Sequence, residues 1–528
     1  LNRSSLDSAS FRVNGSMTGL HPGAITYDSA SFMAVLDPAL GFAHGEQVTT
    51  ILTNHIRSRT GVNLKGFGWT FTAAVPSASG GTFATQSAFP TGSEPRGLTC
   101  ADFDADGDID VVTTCNSPAA AALLRNNGDG TFASPSYTTV NGDPIAVFAA
   151  DFDSDHDVDL AVFHNEPGTS HLEILKNNGS GTFTNAGTYI PATLGQYISG
   201  ADFDGDGDVD IVVTDGWGSQ DNVKVMTNNG AGIFTGPTSY SAGSWAHGVA
   251  ALDVDNDGDF DVACCNQGND NISVLYNDGS GTFSRLADFT AVSGPEALYV
   301  NDLNGDHRAD IAVVSTSTAS VAILLNNGAG GFSAPATYAI PSAAHTIEGG
   351  DLDGDGDIDL SVASNNGTAA YVLLNNGDGT FGAAASYATG SGTWTIGTAD
   401  FNSDGALDLA TTNYGANNVS ILLATGLGVS ASSFIVPRSS FTVSPNPFRA
   451  SLRITCKLPT ADCKLRIYDA QGRLVRSFGQ SAICNRKSEM SVAWDARDNA
   501  GRSVAPGLYF VTLESGGSRT SAKVVLSR

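Results

Sequence analysis

The sequence predicts an all-β protein whose centre is a seven-bladed β-propeller, with a small β-sandwich on either side. Three observations carry this reading. A nine-residue acidic loop recurs seven times, at intervals of 49 to 51 residues. A turn-bearing segment of the type NNGxGTF keeps step with it. The copy of that segment missing from the last repeat stands ahead of the first one, in GGTFATQSAF at 80–89.

The loops read DFDADGDID from Asp102, DFDSDHDVD from Asp151, DFDGDGDVD from Asp202 and DVDNDGDFD from Asp253. DLNGDHRAD from Asp302, DLDGDGDID from Asp351 and DFNSDGALD from Asp400 complete the set. A strand leads into each loop, as PIAVFAADF does at 144–152, and an apolar strand leaves it, as VDLAVF does at 158–163. A third strand of the LEILK type runs into the NNGxGTF turn and a fourth follows it. Asn-Gly and Asp-Gly between apolar residues are strong hairpin signals. Four strands in roughly 40–50 residues is the mark of a propeller blade, and propellers hold about four to eight blades. The seventh repeat ends at VSILLAT, 419–425, and passes to GLGVSASSF with no turn segment. Residues 82–89 are therefore expected to supply the outer strand of blade seven. Pairing the two ends of the array removes the open edges that a linear array would expose.

The stretch ADFDGDGDVDIVVTD at 201–215 shows the chemistry. Carboxylates crowded on a tight loop repel one another unless a cation sits among them. An all-oxygen donor set suits Ca²⁺, which takes about six to eight oxygens at about 2.3–2.6 Å in loose geometry. Gly207, at position six, permits the sharp turn. In such loops positions 1, 3, 5 and 9 offer side chains and position 7 its backbone carbonyl. The run is like the first half of an EF-hand loop, but apolar residues fill positions 10 to 12 and no helix pattern flanks it. The loop therefore joins two strands.

These repeats resemble the FG-GAP and VCBS repeats of integrin-like calcium propellers. The resemblance implies about seven Ca²⁺, one per loop, on one rim of the ring. It carries over as ligands the side chains of Asp102, Asp104, Asp106 and Asp110, of Asp151, Asp153, Asp155 and Asp159, and of Asp202, Asp204, Asp206 and Asp210. Asp253, Asp255, Asp257 and Asp261 follow, then Asp302, Asn304, Asp306 and Asp310. Asp351, Asp353, Asp355 and Asp359, and Asp400, Asn402, Asp404 and Asp408, complete the list. The position-seven carbonyls belong to Asp108, Asp157, Asp208, Asp259, Arg308, Asp357 and Ala406. His156 and His307 replace the turn glycine, and Asn304 and Asn402 replace a carboxylate. Those loops are expected to bind more weakly.

Residues 1–76 carry no acidic loop and read as short alternating strands between Gly, Pro and Asp. With Gly45-Glu46 and Trp69-Thr70-Phe71 as landmarks, the segment resembles the bacterial Ig-like domain of surface-layer and adhesive proteins. That family has one more strand ahead of Leu1, and the start without methionine suggests a processed terminus. A sandwich lacking that strand has an open edge that can accept a strand from another chain; plain truncation of the start is the other reading. After a linker at 426–440, residues 441–528 form a second sandwich, with turn signals at 469–472 and 498–501. SPNPF, LRIYDAQGRLVRSF and WDARDNAGRSVAPGLYFVTL resemble the FlgD-like Ig fold and the sorting domain of type IX secretion, which implies bacterial export and a cell-surface or extracellular setting. The expected architecture is thus a seven-bladed propeller, 77–425, flanked by two Ig-like β-sandwich domains.

The net charge is −28, and the seven loops hold 31 of the 54 acidic residues. The acidity belongs to metal binding, and it argues against nucleic acid, whose phosphates need clustered Lys and Arg. No apolar run reaches the roughly 18 residues of a membrane span. Residues 441–528 carry 14 Lys and Arg against 6 Asp and Glu, so head-to-tail docking on an acidic neighbouring copy is one reading and a solvated basic face the other. Cys264 and Cys265 read as core thiols, while Cys456 and Cys463 are placed to bridge a hairpin. No catalytic constellation stands out. His164, His247, His345, Tyr197, Trp217, Trp245 and Trp394 lie near strand ends, where aromatics stack on sugars or simply pack. Two functions remain: a calcium-stapled structural or adhesive protein, polymerising with copies of itself, or a propeller that binds or cleaves surface glycans.

Overall fold

The computed structural model describes residues 3–28, 33–58, 60–75, 79–165, 169–216, 221–328, 330–365 and 367–425. Beyond these it describes 441–444, 452–456, 463–469, 474–478, 490–497, 502, 504, 507–515 and 518–526. Apart from one 3-10 turn at Arg3–Ser5, every regular element among these residues is a strand. The linker at 426–440, the turns at 470–473 and 498–501, Trp217 and the side chains of Cys456 and Cys463 lie outside the described residues.

The repeats fold into a propeller-like array of four-stranded antiparallel sheets, seven among the described residues. The second runs Pro144–Ala150, Asp159–His164, Ser170–Lys176, Thr184–Ala192, in that spatial order. Burial explains the strand compositions. The strand after each acidic loop, such as Asp210–Asp215, is buried at every position, which explains its apolar centre, here Ile211, Val212 and Val213. The outer strands Ser136–Thr139 and Ala385–Ala388 are mostly exposed and carry only Ser, Thr, Ala and Tyr, residues that a wet edge tolerates.

Successive sheets share apolar cores. Leu123 of the first sheet packs with Leu160 and Phe183 of the second. At the other end, Val419 and Ile421 of the last sheet pack with Val111, Leu124 and Phe132 of the first. The inner strand Thr393–Ala399 neighbours Leu98–Ala101, so the last sheet lies beside the first. The last sheet takes its outer strand from the start of the array: Ser87–Pro90 pairs antiparallel with Asn418–Leu422, with Phe89 opposite Val419. Thr82–Phe83 pairs with Ala424–Thr425. The pairing falls on two short strands separated by residues 84–86.

Ahead of the array, Gly19–Leu20, Phe11–Gly15, Gln47–Leu52 and Phe67–Thr72 form one sheet in that order, and Gly23–Asp28 pairs with Met33–Pro38 in a second. Phe11, Val13 and Val48 form their shared core, with Ile25 and Leu36 packed on it. These sheets do not stand apart from the array. Leu1–Leu427 is one compact unit, because backbone bonds such as Asp102 N–H to Met17 O, at 2.9 Å, join the two. A second unit, Gly428–Arg528, holds a three-stranded and a four-stranded sheet around Leu465, Ile467, Trp494 and Val511.

Candidate metal centres

Each acidic loop is shaped by its own first aspartate. In the third loop, Asp202 Oδ1 accepts the N–H groups of Gly205 and Asp206, at 2.8 and 3.1 Å, and Oδ2 accepts that of Gly207 at 2.9 Å. Asp206 Oδ1 accepts the N–H of Asp208 at 2.9 Å. Gly207 has φ 98°, which explains the glycine at position six. His156 and His307 adopt the same left-handed region, at φ 80° and 65°, at a cost of roughly 1 kcal/mol each. Position four is left-handed too, including Ala105, Ser154 and Ser403 at φ 59°, 63° and 56°. That requirement escapes sequence reading because only some copies put glycine there.

The ninth residue fastens the loop to the blade. Asp110 is fully buried; its Oδ2 accepts the N–H of Phe103 at 3.2 Å and its Oδ1 that of Asn126 at 2.8 Å. Burial pushes Asp110 up to about 7 and Asp159, Asp261, Asp359 and Asp408 up to about 8, only partly offset by these backbone donors. Burial, and then the charges of Asp206 and Asp204, push Asp202 to about 8. So many buried acids in a small space call for a cation.

Five loops bring three carboxylate oxygens within 4.8 Å of one another: Asp102, Asp104 and Asp110; Asp151, Asp153 and Asp159; Asp202, Asp204 and Asp206; Asp253, Asp255 and Asp261; Asp351, Asp353 and Asp355. The loops from Asp302 and Asp400, which carry Asn304 and Asn402, form no such trio among the described residues. Asp104 Oδ1 and Asp153 Oδ1 are buried and accept no hydrogen bond. Hard, orphaned oxygens on a preformed loop fit Ca²⁺. The residues that would hold it are those trios with the rest of positions 1, 3, 5 and 9.

Sequence reading missed the basic side chains around the loops. Arg125 Nε reaches Asp104 at 3.1 Å while its Nη2 donates to Ser180 O in the next repeat at 2.9 Å. Lys176 likewise joins Asp153, at 2.9 Å, to Ala231 O, at 2.7 Å. From the N-terminal sheets, Arg12 pairs with Asp208 at 2.7 Å, Lys65 with Asp257 and Asp259 at 2.8 and 2.5 Å, and His44 with Asp400 at 2.9 Å. The N-terminal sheets therefore cap the acidic rim. Arg308 turns back on Asp306 of its own loop, at 2.9 Å, which further separates that loop from the others.

Sequence reading also took the first asparagine of NNGxGTF only as a turn former. Its Nδ2 bonds the second residue of the preceding loop: Asn126 to Phe401 O, Asn177 to Phe103 O and Asn228 to Phe152 O, each at 2.8 Å. Asn277, Asn326 and Asn375 repeat the bond to Phe203, Val254 and Leu303. The last repeat has Ala424 at this position, and the Ser79 hydroxyl bonds Leu352 O in its stead. Asn177→Ala strands the buried carbonyls of Phe103 and Val158 and should cost about 2–4 kcal/mol in urea unfolding.

Other candidates fall differently. His164 is fully buried beside Glu173, 4.0 Å away, and lies outside the mouth cavity, which is lined by Arg96, Tyr197, His345 and Trp394 at the ends of the inner strands. Trp245 is 51% exposed and lies outside the mouth cavity. His345, Tyr197 and Trp394 do line it. Cys264 and Cys265 are buried thiols outside any disulfide, as expected. Among the described residues no helix is long and apolar enough to cross a membrane.

Repeated strand–acidic loop–strand units, stitched into an array of four-stranded sheets, define an acidic-loop type of repeat protein. The chain belongs to the FG-GAP-like repeat family, matching it at 102–162, 163–213, 202–264, 253–313, 302–362 and 351–411. Residues 445–518 match the FlgD Ig-like domain. No curated protein matches the chain. Among solved structures it is similar to an Agrocybe aegerita lectin that recognises non-reducing terminal N-acetylglucosamine, at 20% identity over 80% of this chain and 96% of that one, TM-score 0.41. It is also similar to PorZ, a surface component of the type-IX secretion system of Porphyromonas gingivalis, at 14% identity over 97% and 69%, TM-score 0.41. A functionally unknown protein from Desulfotomaculum acetoxidans matches at 11% identity over 65% and 96%, TM-score 0.41.

Proposed function

We propose that this chain is a secreted or cell-surface calcium-binding protein with a structural or adhesive role. Its repeats are the blades of a seven-bladed ring, stapled by one Ca²⁺ per loop and carried between two Ig-like domains. The observation that carries this reading is the convergence of three carboxylate oxygens in five loops, with Asp104 Oδ1 and Asp153 Oδ1 left unsatisfied. Metal that binds only the folded loop adds its binding free energy to stability. The reading assigns the chain no reaction. Calorimetric titration of chelator-stripped protein should give four tighter sites and three weaker ones, the loops from Asp151, Asp302 and Asp400, and Asp302→Asn should remove a weak site only. No calcium uptake would overturn the reading.

Self-assembly is the finer part. In the N-terminal domain a two-stranded sheet, Gly23–Asp28 with Met33–Pro38, faces a four-stranded one, so a strand from a second copy has an edge to join. Electron microscopy in calcium and in EDTA tests it: filaments support strand donation, and single particles under both conditions dismiss it.

A further inference from the structure

The inner strands enclose a channel whose two ends differ. At the acidic-loop end, Asn14, Gln47 and Thr70 of the N-terminal sheet line the cavity with Phe148, Tyr299 and Glu348, so that end is capped. At the other end a cavity of about 370 Å³ is lined by Arg96, Gln196, Tyr197, His345, Trp394 and Thr395, with Glu348 also in its wall.

This mouth is built from interlocked polar and aromatic groups. Glu296, only 4% exposed, accepts the Tyr197 hydroxyl at 2.9 Å and the Gln267 amide at 2.8 Å, and lies 3.1 Å from His247 Nδ1. Tyr197 stacks on His345, and His345 lies 4.1 Å from the Trp394 ring. Arg96 sits 5.9 Å from Trp394 and 5.4 Å from Tyr414, and gives one hydrogen bond to Asp143 at 2.8 Å. Two groups are left over. His345 is 9% exposed and its Nδ1 has no hydrogen-bond partner, while its Nε2 stands 3.8 Å from Glu296, beyond hydrogen-bond range. Arg96 Nε is also buried without a partner. Unpaired buried groups of this kind are costly unless something in the cavity meets them.

Charge narrows what that is. Burial opposes ionisation of Glu296, but the His247 hydrogen bond and the neighbouring donors outweigh it and hold its carboxyl below the usual range. Burial lowers His345 to about 4, so its ring is neutral near pH 7. An acidic ligand would meet Glu348 in the wall, whose carboxyl burial raises to about 7, with Glu296 held behind the lining residue Tyr197; an ammonium ligand would meet Arg96. What remains is a neutral ligand whose hydroxyls both donate and accept and whose C–H face suits an aromatic wall.

We propose that the open channel mouth binds the end of a neutral glycan, with sugar hydroxyls on His345 Nδ1 and Arg96 Nε and the sugar ring beside Trp394. The inference rests on the adhesive reading above and gives it a ligand class; it does not depend on the metal. The test is an array of neutral, uronate-bearing, sialylated and amino glycans, probed with the full chain and with His345→Phe, which keeps the stacking and removes the nitrogen. Binding confined to neutral glycans is expected, weakened at least tenfold by His345→Phe with an unchanged melting temperature, and retained by Trp245→Ala. Preference for acidic or amino sugars, no glycan binding, or full binding by His345→Phe would overturn the site. If the chain adheres to cells and His345→Phe adheres equally, the adhesive reading survives and this site does not. If neither cells nor glycans are bound, both fall.

Discussion

In EDTA the protein will melt at a lower temperature at pH 8 than at pH 5, by more than about 10 °C, and added calcium will abolish the difference. The effect comes from the ninth-position aspartates. Their folded-state values lie near 7 or 8, against 3.8 for an ordinary aspartate, because they are buried beneath the loops. Asp210 is raised too, and Asp310 to about 6. An acid raised on folding contributes stability that is fully present below its unfolded value. That stability is lost as the pH rises through the folded value, at about 1.4 kcal/mol per group per pH unit. The window is therefore pH 4 to 8, and stability falls across it. A divalent cation neutralises the same carboxylates and removes the slope. It must also displace their protons, so calcium affinity should rise with pH over the same range. Melting curves in EDTA that do not move between pH 5 and 8 would show that these acids are not held neutral.

Deleting residues 1–91 will leave a chain that aggregates, whereas deleting 1–76 will leave a folded array. The longer deletion strips the outer strand from Asn418–Leu422 and exposes its edge. It removes Phe83, which packs with Leu352, Leu407 and Leu422, and Phe89, whose ring lies 5.2 Å from Phe132 of the first sheet. It also removes the Ser79 hydroxyl bond to Leu352 O. Loss of the two aromatics alone costs about 5 kcal/mol or more, and an unpaired edge beside an apolar sheet invites association. The shorter deletion takes away Arg12, His44 and Lys65 but keeps every strand of the array. Size-exclusion profiles and cooperative unfolding of the two variants distinguish these outcomes. A soluble, cooperative 92–528 chain would mean that the last sheet needs no strand from residues 82–90.

Much of the fold was legible because its information is local. The 49–51-residue period, the apolar run after each loop and the Asn-Gly turns are set by neighbours within one sheet, and alternation and turn chemistry report them directly. The orphan segment at 80–89 could be matched to the last repeat because one copy was missing there. The loop acids could be singled out because oxygen donors recur at alternate positions, and the resemblance to FG-GAP repeats gave them their expected role as ligands. Legibility ended where side chains act across repeats. Asn177 reads as half of a turn, yet its amide serves Phe103, 74 residues earlier. Position four looked free to vary, yet Ala105 and Ser403 carry a positive φ there.

The amino-acid sequence alone determined the repeat, its turns and its acidic loops, since each depends on residues that are neighbours along the chain. Only the tertiary structure decided that Ser79 completes the stitching and that Arg12, His44 and Lys65 cap the acidic rim. It alone made His345, Glu296 and Trp394 one cluster at the opposite mouth. The physical reason is separation: Arg12 meets Asp208 across 196 residues and His44 meets Asp400 across 356. No local periodicity encodes such distances; they exist only once the sheets have packed side by side and brought both ends of the array together.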